Sequence, residues 1–503
     1  VIEGAPEPVT TREAATSFSN NRKLAFGAIA SGGVNLVKVV LQLLLLPIMA
    51  RLLGPTEFGI YALALPTISI VSLLADGGLG ATLAREPETS SLVWSSAFWL
   101  LAGAGVGLAL GTSAFGFLLA GLVGNPRIAP MIVWLSLSIV FLVVSVSPAA
   151  RLSRRRNLGA IAAADLAGSL AGAVVAVSLA VQGAGAWSLV AQYLTTYGVR
   201  AVGLNFSAFE MPEFVFSLSS IRSHVASGGL LVALRFSDYV GRIGENVLVD
   251  RIFGGSLLGS FTFANQVARF STESVSNVAW GALYVQALTS DRAATVKLHS
   301  QLCRMLAGVL LPISLLAAAA APELILALLG PSWKDLTLLL RVLLPVSALS
   351  VVGAQVGPIL LAIDRFNVFF WCAVGLGAGR ILAIGSGWWL GVTGMAVGIG
   401  GVTVLHFAVL TTLAAASIER SIFPMLRGLI GPGISSLVAA CICRLMLDAL
   451  PPERLSLLLG LAGGSAAFVI CMFVIDRKGL ASDWMMIRRI VSLRKISVGP
   501  NSI

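Results

Sequence analysis

Charge is scarce in this 503-residue chain: charged residues make up 11%, hydrophobic residues 57%, and the mean hydropathy is +0.92. Soluble globular domains carry about 25% charged residues, so that class is excluded. Histidine and cysteine are scarcer still. His224, His299 and His406 stand apart, with no His/Asp/Ser or paired-carboxylate constellation around them, so nothing in the sequence points to catalysis. Cys303, Cys372, Cys441, Cys443 and Cys471 lie in or beside apolar stretches, at spacings that suit neither a metal site nor a disulfide framework. They read as small core residues. No G-x-x-x-x-G-K-[ST] loop is present, so ATP does not drive this chain directly. The glycine sets Gly103, Gly105, Gly107 and Gly375, Gly377, Gly379 follow no strand and read as helix-packing surfaces rather than nucleotide fingerprints. No cofactor and no metal is implied.

What is abundant is apolar sequence in runs of roughly 20 residues or more, the length a helix needs to cross ~30 Å of hydrocarbon. The chain reads as an all-α polytopic membrane protein with about fourteen spans, at 24–50, 58–82, 92–123, 128–150, 158–181, 185–206, 223–249, 257–288, 300–329, 335–362, 367–389, 392–416, 423–447 and 455–475. Pro47, Pro66, Pro148, Pro312, Pro345 and Pro358 lie within or at the ends of these spans and read as kinks. Residues 1–23 are polar and read as a disordered cytoplasmic lead, the first span being itself the targeting signal.

Sorting the loops by side separates the basic residues sharply. Arg154, Arg155, Arg156, Arg200 and the tail from Arg477 to Lys495 fall with the termini, whereas the other side has only Arg51, Arg127, Arg251, Lys334 and Arg454. The positive-inside rule then places both termini in the cytoplasm and the chain in the cytoplasmic, or cell inner, membrane. It also accounts for most of the net charge of +11 as contact with anionic membrane lipids, with no nucleic-acid partner. The outward loops are all short, which weakens a reading as a membrane glycan polymerase or ligase.

The sequence also repeats. Subtracting 200 from Arg251, Gly254, Gly259 and Ala264 gives Arg51, Gly54, Gly59 and Ala64. The same shift sets Asn35, Lys38 and Gln42 opposite Arg235, Asp238 and Arg242, each set stepping by 3 and then 4 along one helix face. At a spacing of 210, Pro148, Arg155 and Asn157 fall on Pro358, Arg365 and Asn367, which makes the repeat unit six spans. Six is even, so two six-helix lobes enter the membrane alike, related by a pseudo-two-fold axis near the membrane normal, with two further helices at the C-terminal end. The expected organisation is a lead at 1–23, an N-terminal lobe at 24–206, a cytoplasmic linker at 207–222, a C-terminal lobe at 223–416, two added helices at 417–475 and a basic cytoplasmic tail at 476–503.

Lys38, Arg235, Asp238, Arg242, Glu245, Arg269, Glu273, Arg341, Arg380 and Arg444 fall inside spans. A charge at the centre of a membrane helix costs roughly 2.5–3.5 kcal/mol, so these groups must face protein or water. Asp238 stands between Arg235 and Arg242, and Arg269 has Glu273; helical spacing gives Lys38 and Arg380 no acidic neighbour. Cations outnumber acids, so the expected cavity is positive and suits an anionic substrate such as a pyrophosphate or an acidic sugar. Of the acids, Asp76, Asp165 and Asp238 keep a cation-coupling role open.

Residues 50–63, Ala-Arg-Leu-Leu-Gly-Pro-Thr-Glu-Phe-Gly-Ile-Tyr-Ala-Leu, resemble the first-to-second-span signature of polysaccharide-biosynthesis flippases, within the multidrug/oligosaccharidyl-lipid/polysaccharide exporter superfamily. The stretch Leu152 to Ala164 and the run Gly185-Ala186-Trp187-Ser188-Leu189-Val190 are similar to later segments of that family. The resemblance implies two six-helix lobes around a central cavity. It implies translocation of undecaprenyl-diphosphate-linked oligosaccharide to the outer leaflet for O-antigen, capsule or exopolysaccharide assembly, with a glycan polymerase and other assembly proteins as partners. Cavity cations engage the substrate in such proteins, and the positions expected to do so here are Lys38, Arg235, Arg242, Arg269 and Arg380. The superfamily's cation-coupled multidrug exporters are the alternative.

Overall fold

In a computed structural model the described residues are 11–76, 83, 91–208, 210–219, 221, 241–289, 292–418, 423–451, 454–477, 479–481 and 483. Among them there is no strand. The helices are α1 (Thr11–Asp76), α2 (Ser91–Val123), α3 (Ile128–Arg154), α4 (Leu158–Val181), α5 (Trp187–Ala208) and α6 (241–253), then α7 (Gly255–Thr289), α8 (Arg292–Ala319), α9 (Ala321–Leu328), α10 (Leu336–Ala354), α11 (Gly357–Ala362), α12 (Phe366–Ser417), α13 (Phe423–Ala449) and α14 (Arg454–Ile475). Nine helices among the described residues are long and apolar enough to cross a membrane. The protein is an all-α, multi-pass membrane protein.

Two of the helical runs are far longer than a bilayer. At 1.5 Å per residue, the 52 residues of α12 would reach ~78 Å against ~30 Å of hydrocarbon. Glycine resolves the mismatch. Gly391 (φ 67°) breaks α12 into two pieces of roughly equal length, and Gly54 (φ 75°) breaks α1 into a long first piece and a shorter second one, since only glycine enters the left-handed region without strain. Exposed Trp388 and Trp389 lie just before the Gly391 break and exposed Trp371 lies near the other end of the same piece, as expected of rings at the two membrane interfaces.

Left-handed residues also give the repeat its register. Gly54, Gly124, Arg156 and the Gly183/Gly185 turn in the first half answer to Gly254, Gly330, Asp364 and Gly391 in the second. Around the first pair burial runs in parallel: Arg51 and Arg251 are exposed, residues 58–60 and 258–260 are buried, and Ala64 and Ala264 are both fully buried. One alignment from the sequence needs correction. Arg156 and Asp364 are 208 apart, and the helices that follow are capped by Asn157 and Arg365, so the spacing of 210 that matches Arg155 to Arg365 is out of register by two. Chemical identity at 210 was coincidence, because backbone conformation and not side-chain type defines the turn.

Other boundaries differ from the sequence reading as well. Helix α1 extends back to Thr11, so residues 11–23 are helical rather than a disordered lead. The span expected at 300–329 is divided, α8 being followed by α9 and by a 3₁₀ turn at Pro331–Trp333. The span expected at 335–362 is found as Leu336–Ala362, with a turn at 355–356 between α10 and α11, just before Gly357 and Pro358, where proline cannot continue a hydrogen-bonded helix.

The chain forms two compact units, Val1–Val247 and Leu248–Ile503. In the first, α4 packs along α5 and α1, and α3 packs on α2 and α5. The closest approach is between α4 and α5. A Cβ at Gly168 would lie 2.4 Å from the Thr196 carbonyl oxygen and one at Gly172 2.1 Å from Thr196 Oγ1, so glycine is required for the helices to meet at this distance. Part of the segment expected as an inter-lobe linker is bound to this unit. Glu213 N donates to Ser95 Oγ (3.0 Å), Ser217 N to Ser96 Oγ (2.9 Å) and Trp99 Nε1 to the Glu213 carbonyl (2.9 Å). Arg151, which lies over the Trp94 ring, and Arg155 both pair with Glu210.

In the second unit α10 packs on α7, α8 and α12, while α13 lies along α8 and α14 along α13. Arg304 of α8 holds the segment after α14, with its Nε 3.0 Å from Asp483 Oδ2.

Candidate functional site

The first unit places three ionisable side chains from three helices in one cluster. Asp165 of α4 accepts from Arg200 Nε of α5 through Oδ1 (2.6 Å), and its Oδ2 lies 3.4 Å from Lys38 Nζ of α1. Each of the three side chains retains about a quarter of its surface (25% for Lys38 and Asp165, 23% for Arg200), so the cluster is neither sealed in a core nor free in solvent. Arg200 binds Asp165 through Nε alone; its two terminal guanidinium nitrogens have no partner among the described residues.

Helix geometry gives the depth. Lys38 is sixteen residues from the Gly54 break, ~24 Å at 1.5 Å per residue. Arg200 is thirteen residues into α5, ~20 Å, and Asp165 is seven residues into α4 from the opposite face, ~10 Å. The three counts agree on one level along these helices, nearer the Arg154–Arg156 turn than the Gly54 and Gly185 turns. Two cations and one carboxylate leave a formal charge of +1 there.

The surroundings are polar by design of the helix faces. Gln192, Thr196 and Arg200 recur every fourth residue on α5, with Tyr193 and Tyr197, whose rings lie 4.6 Å apart, alongside them. On α1 Gln42, one turn beyond Lys38, is exposed. Asp165 is held at α5 because Gly168, three residues on, lets the α5 backbone come within contact of α4 at Thr196 and Arg200.

Of the five cations expected to engage substrate, only Lys38 is in this cluster. Arg235, together with Asp238 and His224, lies outside the described residues. Arg242 is on α6 in the first unit; Arg269 on α7 and Arg380 on α12 are in the second. All three are partly buried and interact with neighbouring groups. Lys38 does have an acidic neighbour, Asp165, supplied by another helix 127 residues away and therefore invisible to helical spacing. Arg200, sorted from sequence with the loops, is inside α5 and part of the cluster; the four-residue step Gln192, Thr196, Arg200 was the signal that could have found it. Arg444 leaves the tally of cavity cations: its Nη1 lies 2.9 Å from Glu323 Oε1 of α9 and its Nε 3.0 Å from Asp448 Oδ1, so it ties α13 to α9. Arg341 is exposed.

A second polar group of the first unit lies where α1 breaks. Glu57 receives both terminal nitrogens of Arg127 (2.8 Å each) and the Ala186 backbone N–H (2.8 Å), joining the α1 break to the α2–α3 and α4–α5 turns. The carboxylate holds the Arg127 guanidinium above its usual basicity. An open cavity of about 260 Å³ adjoins them, lined by Leu52, Leu53, Ala180 and Gly183 among others.

Residues 48–338, more than half of the chain, match the family model described as polysaccharide biosynthesis protein. The chain belongs to the polysaccharide biosynthesis protein family. This family member is 25% identical to the succinoglycan biosynthesis transport protein ExoT of Rhizobium meliloti (strain 1021), over 87% of its own length and 90% of ExoT. It is 23% identical to the lipopolysaccharide biosynthesis protein WzxC of Escherichia coli (strain K12), over 70% of its length and 73% of WzxC. In fold it is similar to the lipid II flippase MurJ in an inward closed conformation, with a TM-score of 0.70 at 12% identity, covering 90% of this chain and 99% of MurJ. It also resembles an inward-facing multidrug resistance MATE family transporter of the MOP superfamily, with a TM-score of 0.56 at 16% identity, covering 76% of this chain and 96% of the other. The MurJ and MATE chains share the helical fold of this family member.

Proposed function

We propose that this protein is a flippase that carries an undecaprenyl-diphosphate-linked oligosaccharide from the cytoplasmic to the periplasmic leaflet, by alternating access through a cationic cavity, for O-antigen, capsule or exopolysaccharide assembly. The observation that carries this reading is the Lys38–Asp165–Arg200 cluster, a net-positive group shared by three helices at the end of the first unit that carries the Arg154–Arg156 turn. A diphosphate cannot cross hydrocarbon unaided, because transferring an ion of this kind into a low-dielectric medium costs on the order of 20 kcal/mol in the idealised limit. Cations at the level of this cluster replace the lost hydration, and the arginine fork matches phosphate oxygens while staying charged. The names of ExoT and WzxC place both relatives in polysaccharide biosynthesis, and the MurJ-like fold supports the same task for this chain.

In this reading the chain crosses the cytoplasmic membrane about fourteen times with both termini inside. Arg235, Arg242, Arg269 and Arg380 contribute further cations, the two C-terminal helices are an addition to the twelve-helix core, and the protein passes its cargo to a polymerase without itself catalysing bond formation. The test is movement of a labelled undecaprenyl-diphosphate oligosaccharide across liposomes containing the purified protein. Wild type transports and Lys38→Ala and Arg235→Ala lose at least about tenfold in rate, the effect of removing one charge-assisted contact. Failure of folded wild type with several glycans, together with uptake of amphiphilic dyes, would move the assignment to multidrug export.

A further inference from the structure

We propose that Asp165 is a positioning residue that fixes Arg200 and parks Lys38, making Lys38 the cation that changes partner when an anionic ligand enters the first unit. The inference rests on the flippase reading for its ligand, an anion of the phosphate class, but its geometry stands on the cluster alone. The two contacts of Asp165 are unequal. Arg200 is held at 2.6 Å, within charge-assisted hydrogen-bond range, whereas Lys38 stands at 3.4 Å, long for such a bond.

The supports of the two cations are unequal too. Gly168 and Gly172 let α4 and α5 touch backbone to backbone, and a Cβ at Gly168 would lie only 3.4 Å from the Arg200 amide nitrogen, so the Asp165–Arg200 pair is set by two rigid helices in direct contact. Lys38 reaches the same carboxylate from α1 on a four-carbon stem with three rotatable donors. It is also next to open space, since Gln42 on the following turn and Val37 beside it are exposed.

An arriving phosphate group therefore meets two different cations. The outward nitrogens of Arg200 are open among the described residues and already oriented, because Nε is pinned to Asp165. Lys38 can release its weak contact and turn to the ligand, leaving Asp165 neutralised by Arg200 alone. The carboxylate thus lowers the resting charge of the site and gives Lys38 a place to return to when the ligand leaves. Weak parking favours turnover: a cation with no carboxylate to return to holds the anion longer.

Binding of inorganic pyrophosphate to the purified full chain in detergent, followed by calorimetry, tests this directly, alongside transport in liposomes. Asp165→Asn should bind pyrophosphate about tenfold more tightly than wild type, since one unpaired cation is added at an effective dielectric near 20. Its transport should show a lowered KM and a lowered kcat. Asp165→Glu should restore both values to within about threefold, and Lys38→Ala should lose affinity in the wild-type and Asp165→Asn backgrounds alike. A residue that merely held helices together would weaken binding or leave it unchanged when neutralised. Unchanged or weaker pyrophosphate binding by Asp165→Asn with an unaltered melting temperature overturns the proposal, as does absence of binding to both proteins. If Asp165→Asn does not fold, Asp165→Glu and Lys38→Arg decide: the proposal requires Lys38→Arg to bind more weakly or release more slowly, and falls if it matches wild type in both. Correct pyrophosphate behaviour without glycolipid transport would sink the flippase reading and leave this one standing; glycolipid transport unaffected by Asp165→Asn would do the reverse.

Discussion

In the first unit the left-handed turns at Gly54, Gly124 and Gly185 bring together Glu57, Arg127 and the Ala186 amide. Counted from the matching glycines Gly254 and Gly330, the positions of Glu57 and Arg127 are taken in the second unit by Leu257 and Trp333. Leu257 and Trp333 are both buried, and the Trp333 ring packs on Phe263 with centroids 5.1 Å apart. Matching backbone positions thus carry an ion pair in one unit and buried apolar residues in the other. The repeat conserves the turn, which depends on φ, and leaves the staple free, because any contact that closes the turn will serve. The two staples are not equal in strength: a half-exposed Arg127 gains little from Coulomb attraction in water, whereas a fully buried tryptophan gains from all its surface.

The largest effect that sharpens this comparison is Trp333→Ala. Removing the ring should cost about 3–5 kcal/mol, read as a lowered melting temperature of the purified protein, and Arg127→Ala in the first unit should cost about 1 kcal/mol or less. Equal losses would break the comparison. The glycines come next. Gly185→Ala should destabilise by about 2 kcal/mol, because its left-handed backbone is strained by any side chain and its new Cβ would lie 2.4 Å from Glu57 Oε2. Gly391→Ala also puts a side chain at positive φ but meets open space, and should cost about 1 kcal/mol. The smallest effect is the pair itself. A double-mutant cycle on Glu57→Gln and Arg127→Met should return a coupling of about 0.5–1 kcal/mol that shrinks at 1 M salt, where the Debye length is about 3 Å, while the Trp333→Ala loss persists at high salt.

The candidate site was legible in part. The stripe Asn35, Lys38, Gln42 named Lys38, because three polar residues on one apolar helix face announce a cost that something must offset. What the stripe could not show is the partner. Asp165 belongs to a helix 127 residues later, and its pairing with Lys38 and Arg200 follows from how closely α4 can approach α5 at Gly168 and Gly172. Arg200 was assigned to the loops because a cation eight residues from the end of its helix fits the positive-inside pattern as well as it fits a site. Arg444 erred in the other direction: it sits inside a span, yet Glu323 and Asp448 claim it.

By itself the sequence determined that this chain is a helical membrane protein, that it is built from a repeat, and which family it belongs to. These follow from composition, run length and short motifs, all of which are local. Tertiary structure alone decided the register of the later turns, the fixing of residues 210–217 to the first unit, and the meeting of Lys38, Asp165 and Arg200. The reason is physical: a backbone turn and a charge cluster are defined by φ and by distance in space, and residues far apart in the chain carry no record of either until their helices pack.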